Sequence, residues 1–128
     1  MNPGNYRKQI YFMKIPTTFE NLIEEANQYN LYTKLIQQLN KDFLLANIDL
    51  DFHEEVLPSS LKLLLHETVY KLIQEKFMEY LNLLYIIDVP EDQVKALNGD
   101  DTLKLSEDVI FLILKREWQK VWFRNKFS

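Results

Sequence analysis

The closest approach to a catalytic signature is the run from His66 to Tyr70, which reads His-Glu-Thr-Val-Tyr. A zinc site of the HExxH type places two imidazoles one helical turn apart, so that both can bind one metal ion. Here Tyr70 stands where the second histidine would be, and His53 is the only other histidine. A three-histidine site is therefore excluded, and we predict no metal ligands.

His66 lies on the same side of the predicted helix as Ile73, Phe77 and Leu84. A histidine on an apolar face is usually a core residue whose ring nitrogens find a polar partner. We therefore predict a polar core site made by His66 and Tyr70. A small-molecule or metal site around these two residues is kept as an alternative, although it has less support.

Other kinds of chemistry lack the residues they need. The chain has no cysteine, which excludes thiolate nucleophiles and disulfides, and its two glycines are too few for a glycine-rich phosphate loop. Ser59 and Lys62 have a spacing found in serine acylating enzymes, but the companion motifs are absent and helix capping explains Ser59. We predict no catalytic residue and no cofactor, and an enzymatic function is not favoured.

The element that must position most of these residues is a long amphipathic helix, predicted over about 59–87. Its apolar side chains recur every three or four residues, and Pro58 and Pro90 mark its ends. The spacing predicts an all-α fold, a compact bundle of four to five helices packed around this central helix. From Tyr80 onward the helix is apolar on most sides, which indicates that protein surrounds it.

The other predicted helices begin near Thr17, Asn30, Pro90 and Ser106, each at a residue suited to a helix start. Alternating apolar and acidic residues near 48–52 are consistent with one short extended segment. Residues 1–16 are predicted as an N-terminal arm, and residues 17–128 as a single helical domain.

Charge is distributed unevenly along a chain whose formal net charge is −4. Residues 1–14 contain three basic residues and no acid, and residues 113–128 contain five basic residues and one acid. The longest apolar run, 109–114, is far shorter than the roughly 20 residues that cross a bilayer. We predict a cytoplasmic protein that does not enter membranes.

The last helix carries more aromatic residues than a small monomer usually exposes. We therefore predict a non-enzymatic protein–protein interaction module, with a homodimer as the favoured form, because the apolar runs 80–87 and 109–114 look too large for one chain to cover. The predicted interaction residues are Tyr80, Leu83, Tyr85, Trp118, Trp122, Phe123, Arg124 and Phe127. Nucleic-acid binding by the basic ends is the alternative, through Arg7, Lys8, Arg116, Lys120, Arg124 and Lys126.

Overall fold

The computed structural model describes residues 15–127. All regular secondary structure in that range is α-helical. The predicted all-α fold is confirmed, with six helices rather than four or five and no strand between residues 15 and 127. The helices are α1 Phe19–Gln28, α2 Tyr32–Leu45, α3 Pro58–Glu75, α4 Phe77–Ile87, α5 Glu91–Lys95 and α6 Thr102–Phe127. Apart from Ile15 and Pro16, the predicted N-terminal arm lies outside the described residues.

The helix at the centre of the bundle is α6, not the predicted segment 59–87. With 26 residues it is about 39 Å long, and it packs against each of the other five helices. Val109, Ile110 and Leu112–Leu114 are buried within this one chain, and Phe111 is half-buried. The run 109–114 therefore needs no second subunit to cover it, which removes that part of the argument for a dimer.

The predicted helix over 59–87 is interrupted at Lys76, whose φ of −140° and ψ of 60° are not helical. Continuing the buried positions of α3 through Leu72 by helical spacing leads to residue 76, and then to Tyr80 in α4. An unbroken helix would thus aim a lysine at the core, where an unpaired charge is costly. The break leaves the Lys76 side chain exposed and turns Phe77, predicted to face the core, toward solvent.

Several helices begin at residues other than the predicted ones. The Thr18 hydroxyl, not that of Thr17, accepts a hydrogen bond from Asn21 N at 3.0 Å and begins α1. Asp101 Oδ1 accepts from Leu103 N at 3.0 Å at the start of α6. Ser106, the predicted start of this helix, lies five residues further on and is buried inside it. Three of the five preceding helices are followed by a left-handed residue, and that residue is asparagine or aspartate each time: Asn30, Asn47 and Asp88.

The connection between α2 and α3 contains no strand, so the extended segment near 48–52 is not a paired β element. Its anchor is Phe52, which is buried. Asn40 holds the backbone of Phe52 on both sides, since its Oδ1 accepts from Phe52 N and its Nδ2 donates to Phe52 O, both at 2.9 Å. The Tyr32 hydroxyl donates to Val56 O further along. The connection is thus fixed by side chains of α2 rather than by sheet pairing.

We expect Trp118→Ala to lower the free energy of unfolding by about 3–5 kcal/mol, the usual loss when a large buried side chain is removed. Trp118 is fully buried and its indole N–H donates to Glu25 Oε2 at 3.1 Å, so the change removes both packing and a buried hydrogen bond. Urea unfolding followed by circular dichroism measures this loss. Trp122→Ala is the matched control on the same helix. Its ring is only half-buried, so its removal should lower the free energy of unfolding clearly less. Equal losses would contradict the placement of Trp118 in the core.

Candidate functional site

Three of the predicted interaction residues are covered by their own chain. Tyr80, Leu83 and Trp118 are all buried in the core. Burial also raises the pKa of the Tyr80 hydroxyl above its ordinary value. Because these side chains are not at the surface of the single chain, they serve the core and do not form a contact surface in this arrangement.

The aromatic residues near the end of α6 are half-buried and pack on one another. Ring centroids are 5.3 Å apart for Trp122 and Phe123 and 6.3 Å apart for Trp122 and Phe127. Phe123 and Phe127 stack at 5.8 Å. Such pairs stabilise each other beyond simple area burial. This C-terminal aromatic cluster therefore covers part of its own apolar surface.

Exposed apolar side chains occur on several helices, and α4 carries four of them. Phe77, Met78, Leu81 and Tyr85 are exposed, with Met78 at 76% and Tyr85 at 83% of their full accessibility. At 100° per residue these four positions fall within about one third of the helix circumference, beside the arc of the buried residues of α4 and not overlapping it. We call these four residues the α4 face. Only Tyr85 of this set was among the predicted interaction residues.

His66 lies at the surface of the bundle, half-buried, between α3 and the start of α6. Its Nε2 is 3.4 Å from Leu103 O, and its ring centroid is 6.3 Å from that of Tyr70. The Tyr70 hydroxyl accepts a hydrogen bond from Gln74 Nε2 at 3.4 Å. His66 thus lies near a backbone carbonyl oxygen at the edge of the core, whereas the sequence predicted a position inside the core.

Several basic residues of the nucleic-acid alternative make contacts within the chain. Arg116 donates to the backbone carbonyl of Asp88 at 3.0 Å and to its carboxylate at 3.1 Å. Lys120 is 2.9 Å from Asp42 Oδ2. Arg7 and Lys8 lie outside the described residues. The basic residues of α6 are therefore used in part to hold the bundle together.

A cluster of buried polar and charged side chains lies between α2 and α6. Asp42 Oδ2 accepts hydrogen bonds from Gln38 Nε2 at 3.0 Å and from Lys120 Nζ at 2.9 Å. Gln38 Oε1 accepts from Arg124 at 2.9 Å. Asp42, Gln38 and the neighbouring Glu117 are all buried. We call these five residues the Asp42–Glu117 cluster.

Glu117 is fully buried, and neither of its oxygens accepts a hydrogen bond of good geometry from residues 15–127. Lys120 Nζ lies 3.2 Å from Glu117 Oε1 but is directed mainly at Asp42. Burial first, then the hydrogen bond with Asp42 and the charge of Asp42, raise the pKa of Glu117 to about 9, against the opposing effect of Lys120. At neutral pH Glu117 is therefore protonated and donates its proton to Asp42.

Asp42 is the ionised member of this pair. Burial alone would raise its pKa, but hydrogen bonds from Glu117, Lys120 and Gln38 outweigh that effect and leave the pKa below its ordinary value. Asp42, Glu117 and Lys120 thus supply one carboxylate, one carboxylic acid and one ammonium group, whose charges balance. Arg124 adds a further positive charge at the exposed end of the cluster. The balance between Asp42 and Lys120 lowers the cost of a polar interior and ties α2 to α6.

The sequence contains a signal for Glu117 that helical spacing makes visible. Ile113, Glu117 and Val121 are spaced by four residues, so Glu117 lies in the middle of a buried stripe. Asp42 lies three residues after Leu39 and four after Gln38, so it too lies on a buried stripe, that of α2. What the sequence does not show is that the two stripes face each other, because this depends on how α2 and α6 cross.

Comparisons with family models, with curated proteins and with solved structures find no match to this chain. Within residues 15–127 no group of three or more histidine, cysteine, aspartate or glutamate side chains could hold a metal ion. No helix over the same range is long and apolar enough to cross a membrane. The function must therefore be argued from the surfaces and the cluster described above.

We expect Glu117→Gln to become more stable relative to the wild type as pH rises. The folded protein keeps the Glu117 proton up to about pH 9, whereas the unfolded chain releases it near the ordinary pKa of 4.5. The wild type therefore loses stability between these values, by at most about 1.4 kcal/mol per pH unit. Glutamine stays neutral and can still donate to Asp42, so it removes this loss. Urea unfolding at about pH 5 and about pH 8 measures the difference.

Glu67→Gln, an identical substitution at an exposed site on α3, is the matched control and should leave the pH dependence unchanged. If the unfolding free energies of wild type and Glu117→Gln ran parallel from pH 5 to pH 8, Glu117 would titrate alike in both states, and the protonated assignment would be wrong.

Proposed function

We propose that this protein is a non-enzymatic interaction module that self-associates through the α4 face. The observation that carries the proposal is the exposure of Phe77, Met78, Leu81 and Tyr85 on one side of α4. Single exposed apolar residues are normal on any protein, but a contiguous apolar patch is typical of a contact surface. An aromatic and methionine-rich patch is also the composition that protein interfaces favour.

An apolar groove extends this surface. It lies between α4 and α5, has a volume of about 530 Å³, and begins beside Leu81 and Tyr85. Val89, Pro90 and Val94 continue its wall toward α5. Because α4 has 11 residues and is only about 16 Å long, the helix alone is small beside the roughly 800 Å² that each partner usually buries. The groove supplies the additional apolar area.

The spacing on α4 favours a second copy of the chain as the partner. Phe77, Leu81 and Tyr85 are four residues apart, about 6 Å along the helix, so the pattern is the same in both directions around Leu81. If two α4 helices packed antiparallel with a two-fold axis at Leu81, Phe77 of each chain would meet the far aromatic residue of the other. Self-complementarity of this kind is what a symmetric dimer requires.

The proposal does not require the interaction residues that the sequence predicted near the end of α6. The C-terminal residues Trp122, Phe123, Arg124 and Phe127 lie at another part of the surface, where the aromatic rings already contact one another. The dimer does not depend on them. The cytoplasmic location stays a prediction.

We expect the wild type to show a mass that rises with concentration from that of one chain toward that of two. Leu81→Lys should keep the protein monomeric, because it places a charge at the proposed two-fold axis, where it would be desolvated opposite its own copy. Sedimentation equilibrium over a micromolar to millimolar series measures both.

Leu44→Lys is the matched control, since Leu44 is also an exposed leucine, lies on α2 and is not part of the α4 face. It should dimerise as the wild type does. A wild type that stays monomeric throughout the series, or a Leu44→Lys variant that dissociates as fully as Leu81→Lys, would refute association through α4.

A further inference from the structure

A second surface feature lies where the Asp42–Glu117 cluster reaches solvent. Between α2 and the last turns of α6 there is an open groove of about 440 Å³, within the range of small-molecule sites. Its wall contains three basic side chains, Lys34, Lys41 and Arg124, together with side-chain amides such as Gln38 and Asn125. No carboxylate lines it among the described residues.

Nearby acids balance the positive charge of this groove only in part. Lys34 and Lys41 form no ion pair with any residue in 15–127, unlike Lys120, which is neutralised by Asp42. Two acids contact amides of the wall: Asp42, already paired with Lys120, accepts from Gln38, and Glu54 accepts from Gln37 Nε2 at 2.8 Å. Three basic side chains against these acids leave a basic patch on a chain with net charge −4, and such a patch concentrates anions at one place.

The polar cluster also fixes the orientation of the groove's most specific group. A carboxylate only accepts and a guanidinium only donates, so Gln38 must turn its amide nitrogen to Asp42 and its oxygen to Arg124, as observed. Gln38 is buried and cannot easily reorient. Arg124 is held through one nitrogen, Nη1, and its other donors are left for a ligand. A guanidinium fixed in this way is suited to phosphate or carboxylate oxygens.

We propose that this groove is a binding site for a small polyanion, a molecule that carries at least two phosphate or carboxylate groups. Lys34 and Lys41 are seven residues apart, about 10 Å along α2, so one compact monoanion cannot lie close to both. A polyanion can place one group at Arg124 and another at a lysine. Gln38 is a positioning residue here, because it acts through Arg124.

The test is calorimetric titration of the full chain with two probes, tripolyphosphate and citrate, at equal ionic strength. Saturable binding of either probe is expected, and the preferred probe tells whether the natural ligand is a phosphate or a carboxylate compound. Lys41→Ala and Arg124→Gln should each weaken binding roughly tenfold. Arg124→Lys should weaken it as well, because it keeps the charge but loses the planar fork.

Lys71→Ala is the matched control, since Lys71 is an exposed lysine on α3 that does not line the groove. It should bind both probes like the wild type. Circular dichroism of each variant confirms that it is folded. The proposal is overturned if neither probe binds, or if Lys71→Ala weakens binding as much as Lys41→Ala, which would indicate a nonspecific charge effect.

Discussion

The constraint on which the bundle depends is that an acidic side chain lies inside it. Because α6 touches every other helix, its middle is enclosed, and Glu117 is enclosed with it. A lone buried carboxylate would be strongly destabilising. The chain avoids this by keeping Glu117 protonated and by setting Asp42 and Lys120 beside it. The interaction between these two carboxyl groups, together with the ion pair of Asp42 and Lys120, therefore helps to join α2 to α6.

The same cluster connects the interior with the surface. From Glu117 the hydrogen bonds pass to Asp42, then to Gln38, and end at Arg124 in the open groove. A change inside the bundle can thus alter how the arginine is presented. The α4 face shares no residue with these hydrogen bonds or with the basic groove between α2 and α6. Association and anion binding are consequently separate proposals that rest on separate parts of the molecule.

The sequence predicted the fold class well because helical periodicity is a local property. It predicted the wrong central helix, since an apolar run such as 109–114 shows that a segment is surrounded but not what surrounds it. Lys76 could have been recognised, because it falls on the apolar stripe of the segment predicted as one helix. The cluster of Asp42 and Glu117 could not be recognised, since it depends on two residues 75 positions apart in the sequence meeting across two helices. Sites made by long-range packing leave little trace in spacing alone.

The joint at Lys76 has a consequence for how this protein can vary. Lys76 N still donates to Leu72 O, and Lys76 O accepts from Tyr80 N. The backbone dihedral angles of Lys76 itself are nevertheless not helical. In an unbroken helix, one inserted residue rotates everything after it by about 100°. At a non-helical residue the backbone dihedrals can absorb such an insertion. A change in the length of α3 therefore need not alter which side of α4 faces solvent. The sequences of the two helices can change independently of each other.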